Sequence, residues 1–523
     1  MLQHPSLMSY YFPFTVLLAL LGSVLLYYLI SRQKAGHSGY RLPPGPPGLP
    51  LIGNVLSLTT SHPWKRFASW STTHGPVVHL KVFKYSVIIL NSSKAAFDLL
   101  DQRSANYSDR PRLGMLSLVD LSWVIPLMPY GQRWRKHRRL VHRYCNSSAA
   151  KQYEPLQQRK ARQLLVHLRQ EPARFAEHSA FIVGVILLDL TYGVRDKHTT
   201  ERYLQCAQHT ADILGKMFLP GALLVQYLPF LHGLPSWFPG SGYKDRVEIW
   251  KKTFHATLNV PFEDVKTAMS AGSADPSFLT QMLDEIAHLE GEEYKVAETV
   301  AKNCASVMYS AGSDTTVSTL LTFFLAMVLC PEAQEKAQAE LMSVVGPHRL
   351  PEFGDRPSLP YINALVRECT RWIPVTPLGN FHACMDDDVY EGSFIPKGSI
   401  IFANQWAMLH DPVEYPDPET FNPDRFLGED GSLNPNVRDP NTVAFGFGRR
   451  VCPGRDISDA MVFICAASIL HVFDIGPQTN ERGRPLLPRV DVTSSLVCHP
   501  RHFECKITPR TSVSERLLDE VDV

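Results

Sequence analysis

The sequence predicts a mainly α-helical protein with small β-sheets, preceded by a helix that crosses a membrane. Three observations carry this expectation. Long runs at about 296–329, 359–372 and 457–472 read as helices. Residues 76–91, PVVHLKVFKYSVIILN, are rich in β-branched and aromatic side chains and break near Lys84 and Tyr85, as two strands joined by a turn would. Residues 10–30 are almost wholly apolar and long enough to span a bilayer.

Composition narrows the class. At 523 residues, length alone would suggest about three domains. An apolar fraction of 45% and a charged fraction of 20% are ordinary for a globular chain. A net charge of +1 leaves no basic footprint for nucleic acid. The ten cysteines are scattered without a C-x-x-C pair, which indicates neither a zinc site nor a disulfide framework.

Taken in order, residues 1–31 form the expected anchor. Tyr10, Tyr11, Tyr27 and Tyr28 fall where aromatic rings favour the membrane interfaces. No Lys or Arg precedes the apolar run, whereas Arg32, Lys34 and Arg41 follow it, so the positive-inside rule places the rest of the chain in the cytosol. A cleaved signal peptide, the rival reading, would need a basic start that is missing here. Residues 32–54 make a basic, Pro-rich hinge containing RLPPGPPGLPLIGN, stiffened by prolines that fix φ. Residues 55–523 are the folded body.

Within that body, a helix is expected over about 92–100, capped by Asn91 or Ser92. The irregular apolar stretch after Arg110, with Met115, Leu118, Trp123, Val124 and Ile125, reads either as core or as a pocket-lining loop. GQRWRKHRRL, 131–140, reads as a basic helix on which Trp134 and Arg138, four apart, share a face. Its Arg133, Arg135 and Lys136 suit a solvated face or a patch that docks an acidic electron donor. From 153 to 289 the pattern shows amphipathic helices and no chemistry, with WFPG near Trp237 a candidate for membrane contact.

The 296–329 helix carries AGSDTT at 311–316. A glycine inside a helix costs about 1 kcal/mol relative to alanine, and an unpaired buried Asp costs more. The pattern predicts a helix that opens locally, against a plain kinked core helix. Glu368 and Arg371 are three apart on the 359–372 helix and meet on one face, with FNPDRF following at 421–426. Finally, 445–454 reads FGFGRRVCPG. Glycines around a single cysteine let the backbone approach a flat group closely. The following helix N-terminus favours a thiolate, which suits ligation of a haem iron.

These motifs, in this order, resemble those of the cytochrome P-450 family over nearly the whole chain after residue 40. The loop matches F-x-x-G-x-R-x-C-x-G at every fixed position. The resemblance implies one large helical domain around one haem b, with Cys452 as the thiolate ligand of iron. It implies that Phe445 packs near the sulfur, Gly448 allows the turn, and Arg450, Trp134, Arg138 and His382 meet the haem propionates. Phe381 stands before His382 where the family commonly has Pro. Thr315 and Asp314 would serve oxygen and its protons, and Glu368, Arg371 and Arg425 would lock the proximal side.

The implied activity is a membrane-anchored monooxygenase, single-pass in the endoplasmic reticulum with a cytosolic catalytic domain. Its implied electron donor is NADPH-cytochrome P-450 reductase, with cytochrome b5 as an optional second donor. The expected pocket residues Val307, Met308, Val375 and Leu378 are apolar and suggest a lipophilic small-molecule substrate. The wording of 386–448 looks most like fungal members that tailor natural products, which points to hydroxylation of a terpenoid. An aromatic or indole-type substrate is the alternative reading. So is a haem-thiolate isomerase or dehydratase that does not use oxygen, against which Asp314 and Thr315 speak.

Overall fold

The computed structural model describes residues 40–58, 61–217 and 243–521. The expected anchor at 10–30 and the WFPG stretch near Trp237 lie outside these residues.

Helices dominate. In chain order the principal ones are α1 (Pro63–His74), α2 (Gln132–Cys145), α3 (Glu154–Gln170), α4 (Phe175–Tyr192), α5 (Lys197–Met217), α6 (Tyr243–Ser270), α7 (Gly291–Leu329), α8 (Pro331–Val344), α9 (Pro360–Trp372) and α10 (Arg455–Val472). Helices α7, α9 and α10 are those read from the sequence. Their ends shift by a few residues because Leu359 caps α9 ahead of Pro360 and α10 begins directly after Gly454.

Helix α7, 39 residues long, is the axis of the core, packing against α2, α4, α6, α9 and α10. The apolar stretches of α4 and α7 are long enough to cross a membrane, but most of their surface is buried against other helices. His137 fixes α2 on α7, its ring oriented by a bond within α2 and joined to α7 by a second. His137 donates through Nδ1 to the Arg133 carbonyl at 2.9 Å, which leaves Nε2 to accept from Asn303 at 3.1 Å. Burial holds the His137 ring below the usual histidine range, so it stays neutral in this role.

Strands β1 (Val77–Val82) and β2 (Tyr85–Leu90) form the expected hairpin, paired antiparallel from Val77↔Leu90 to Val82↔Tyr85. With β3 (His382–Ala383) and β6 (Ile400–Ala403) they make a four-stranded sheet in the order β1-β2-β6-β3, β6 lying parallel to β2. A two-stranded sheet pairs β4 (Asp388–Tyr390) with β5 (Ser393–Ile395). A three-stranded sheet orders β8 (Pro485–Leu486), β7 (Phe473–Thr479) and β9 (Cys505–Pro509).

The described part of the Pro-rich stretch is bound to the sheets. Pro44 accepts the His79 N–H at 2.9 Å, Asn54 exchanges hydrogen bonds with Lys81, and Arg41 accepts the Phe394 N–H at 2.8 Å. Gly45 is required there, since a Cβ would sit 1.9 Å from the His79 carbonyl oxygen. After β2, Ser92 caps the next helix by accepting from the Ala95 N–H, and that helix widens into a π-turn at Phe97–Gln102. The apolar stretch after Arg110 packs Met115, Leu121, Trp123 and Leu127 into a second core. Phe67, the β1 residues Val78 and Leu80, Met217 and Phe381 complete that core.

Candidate functional site

The cysteine loop is shaped by its glycines. Gly446 and Gly448 take φ of +82° and +51°, which side chains resist. A Cβ on Gly448 would lie 2.3 Å from the Leu100 carbonyl oxygen, so only glycine fits against the π-turn. The Cys452 N–H donates to the Phe445 carbonyl at 2.7 Å and closes the loop, with the Phe445 ring half-buried. Phe447 is buried edge-on to Phe97 at 5.3 Å.

Seven of the ten cysteines are buried and two half-buried; Cys452 alone is exposed. Protein atoms nevertheless crowd its sulfur, and this desolvation pushes the thiol above its usual range. The Gly454 and Arg455 N–H groups and the cations Arg138 and Arg455 pull the other way without prevailing. The helix N-terminus therefore does not make the thiolate by itself; a bound metal cation, which deprotonates a coordinating thiol outright, would complete the task.

Around this loop the fold gathers positive charge. Arg450 donates through Nε to Ser108 O and through Nη2 to Met128 O, each at 2.8 Å. Its guanidinium stacks 4.3 Å over the Trp134 ring. Its Nη1 is buried without a partner, and burial pulls the group down to about 10. Arg138 is lowered for the same reason and lies near enough to Cys452 and Arg450 for their charges to interact. His382 is buried on β3, with Nδ1 donating to Tyr107 O at 2.7 Å. Burial and the nearby Arg110 hold it well below the usual histidine range.

Arg110 itself is a site residue that the motifs do not contain. It is 3% exposed, donates to Pro126 O at 2.7 Å and Phe381 O at 2.8 Å, and faces both Arg450 and His382. The one sequence signal for Arg110 is a charge set before Pro111 at the start of an apolar stretch. Among the described residues, none of Arg110, Arg138 and Arg450 has a carboxylate in ion-pair contact.

On α7 the expected opening is absent: the helix runs unbroken through AGSDTT. Gly312 serves packing, since a Cβ there would lie 2.9 Å from Leu187 Cδ1 of α4. Asp314 is not unpaired either, with Oδ1 3.1 Å from His499 Nε2. The Thr315 hydroxyl donates back to the Ala311 carbonyl at 2.9 Å. Ala311 is exposed although α7 is largely buried from 316 onward. Thr316 bonds Ser458 at 3.1 Å, which ties this part of α7 to the first turns of α10 beyond Cys452.

Glu368, Arg371 and Arg425 meet as the motif order implied. Arg371 forks onto Glu368 at 2.7 and 2.8 Å, and Arg425 Nε adds a bond to Oε1 at 3.1 Å. Arg371 also donates to the carbonyls of Leu409, Pro418 and Thr420. Among the expected pocket residues, Val307 touches both cores, Met308 the first and Leu378 the second, while Val375 is half-buried and accepts the Cys498 N–H at 2.8 Å.

The family model for cytochrome P-450 matches residues 43–507. The chain belongs to the cytochrome P-450 family. It is 37% identical over 513 residues to cytochrome P-450 monooxygenase COX1 of Coprinopsis cinerea, covering 97% of this chain and 99% of that protein. It is 38% identical to the monooxygenase ple1 of Rhodocybe pseudopiperita, with 94% of each chain covered. It is 39% identical to claR of Ampulloclitocybe clavipes, over 95% of this chain and 91% of the relative. The protein is a haem-thiolate monooxygenase, its cofactor a haem whose iron is held by a cysteine thiolate.

The residues present fit that cofactor. A P-450 haem brings two carboxylates, and the buried Arg450 Nη1 has no other acceptor. Trp134, Arg138, Arg110 and His382 flank it. Cys452, the one exposed cysteine, sits in a loop that a Cβ at position 448 would jam.

Proposed function

We propose that this enzyme inserts one oxygen atom from O2 into a lipophilic terpenoid-type scaffold, and that it works at the endoplasmic reticulum membrane. Residues 1–31 would be the anchor, 32–54 the hinge and 55–523 the cytosolic catalytic domain. NADPH-cytochrome P-450 reductase would be the electron donor, with cytochrome b5 as an optional second one.

Cys452 would hold the iron, with Phe445 and Gly448 shaping its loop, and Arg450, Trp134, Arg138, His382 and Arg110 would hold the carboxylates. When bound, the haem supplies reductive activation of O2 and transfer of one of its oxygen atoms. Thr315 would supply an oriented hydroxyl, and Asp314 next to it on α7 would supply protons through its carboxyl group. The apolar surface of Val307, Met308 and Leu378 excludes water and favours a substrate recognised by shape.

One observation carries this reading: a buried, unpartnered guanidinium nitrogen of Arg450 in the same loop as the single exposed cysteine. Co-expression with a reductase in a host fed terpenoid scaffolds tests the activity. Products gaining one labelled atom from isotopic O2 support it. Conversion that proceeds without NADPH would instead indicate an isomerase or dehydratase.

A further inference from the structure

Asp314 has a partner that no P-450 motif in this sequence contains. His499 Nε2 lies 3.1 Å from Asp314 Oδ1, within the range for direct proton transfer. The contact is built rather than incidental. His499 belongs to a short loop closed at its base, where Thr493 donates its N–H to His499 O at 2.9 Å and His499 donates its N–H to Thr493 Oγ1 at 3.0 Å. The preceding Cys498 is gripped from two sides: its N–H donates to Val375 O at 2.8 Å, and its carbonyl accepts from the Ser318 hydroxyl.

Asp314 and Ser318 are one turn apart, so they lie on the same face of α7, and that face holds the loop. Thr315 lies about 100° further round the helix. The acid thus meets the imidazole directly, and the next residue along α7 is the threonine.

Water reaches the acid as well. Ser313 and Asp314 are among the residues lining an open cleft of about 620 Å³. Its titratable and charged lining comprises His167 and Glu171 near the end of α3, Arg174, Glu177 and His178 at the start of α4, and Lys197 and Glu201 on α5. The His499 side chain is 23% exposed and the Asp314 side chain 14%. The imidazole is the better solvated member of the pair, and so the better placed to exchange protons with water.

We propose that His499 is the proton-relay residue that recharges Asp314 during turnover. In each transfer the Nε2–H bond of the His499 imidazolium breaks and an Oδ1–H bond forms on Asp314. The ion pair becomes a neutral pair, and the imidazole recovers its proton from water. No electrons move in this step. The inference rests on the role given above to Asp314.

The test uses the full-length enzyme with its reductase and follows NADPH oxidation in H2O and in D2O for His499→Gln, His499→Asn and Asp314→Asn. Both amide variants at 499 keep a hydrogen-bond donor but cannot carry a proton, and the comparison uses whichever retains the thiolate spectrum of the reduced carbon-monoxide complex. The expected result is a fall of about a hundredfold in NADPH oxidation, the low end of what a positioned proton donor supplies. The solvent isotope effect should rise, while turnover driven by an organic hydroperoxide should change little. If Asp314→Asn slows the enzyme and neither 499 variant does, the relay is overturned while the role of Asp314 stands. Wild-type rates in all three variants would overturn both.

Discussion

The Arg450 guanidinium carbon lies over the Trp134 ring, 4.3 Å from its centre, with one guanidinium nitrogen buried and unbonded. Stacking and two backbone carbonyls hold the group rigid, so its remaining donor is aimed before any ligand arrives. A hydrogen bond to a charged group is worth about 1.5–3 kcal/mol. Arg450→Leu should therefore speed haem loss by about tenfold to a hundredfold, read as haem transfer to an excess of apomyoglobin. Trp134→Phe, which keeps an aromatic face, should cost less.

Arg371 and Glu368 are both fully buried and satisfy one another through two bonds. Removing one member leaves the other charge without compensation, at a cost of about 3–5 kcal/mol. Glu368→Ala is expected to yield little soluble holoprotein. Wild-type yields with an unchanged melting temperature would show that the triad is dispensable to the fold.

Thr315→Ala removes the hydroxyl that now bonds the Ala311 carbonyl. Helix α7 should survive, because Ala is the better helix former. NADPH oxidation should continue while product falls and the electrons appear in hydrogen peroxide. Thr315→Ser should restore the ratio of product to NADPH. An unaltered ratio in Thr315→Ala would remove the hydroxyl from the account.

Three histidines packed into the fold set an acid limit. Burial lowers His79 and His471 to about 4 and His410 to about 3, from about 6.5 when unfolded. Above pH 6.5 they are neutral in both states and cost nothing. As pH falls from 6.5 toward 4, the unfolded chain binds protons that the folded chain refuses, so stability declines. The melting temperature should drop steadily over that window. The decline should be shallower in His471→Leu, which also removes a buried, unpartnered Nδ1.

What could be read from the sequence was what lies close together along the chain. The loop at 445–454, Glu368 with Arg371, and Trp134 with Arg138 each fall within ten residues, so spacing alone brought them to one face or one turn. Arg110 and His499 escaped because their chemistry comes from contacts across the fold. Arg110 meets His382, and His499 meets Asp314, only after separate elements have packed. The same cause hid how the Pro-rich stretch is fastened, since its partner His79 lies on β1. The expected opening of α7 failed for a related reason: Gly312 and Asp314 looked costly only while Leu187 and His499 were unknown as neighbours.

The central claim is that the Cys452 sulfur binds the haem iron. The direct measurement is the absorption spectrum of the reduced carbon-monoxide complex of the wild-type protein and of Cys452→Ala, each purified with its haem content quantified. The red-shifted Soret band that marks a thiolate ligand should be present in the first and lost in the second, together with most of the bound haem. An identical red-shifted band in Cys452→Ala would show that another residue holds the iron, and the assignment of the site would fall.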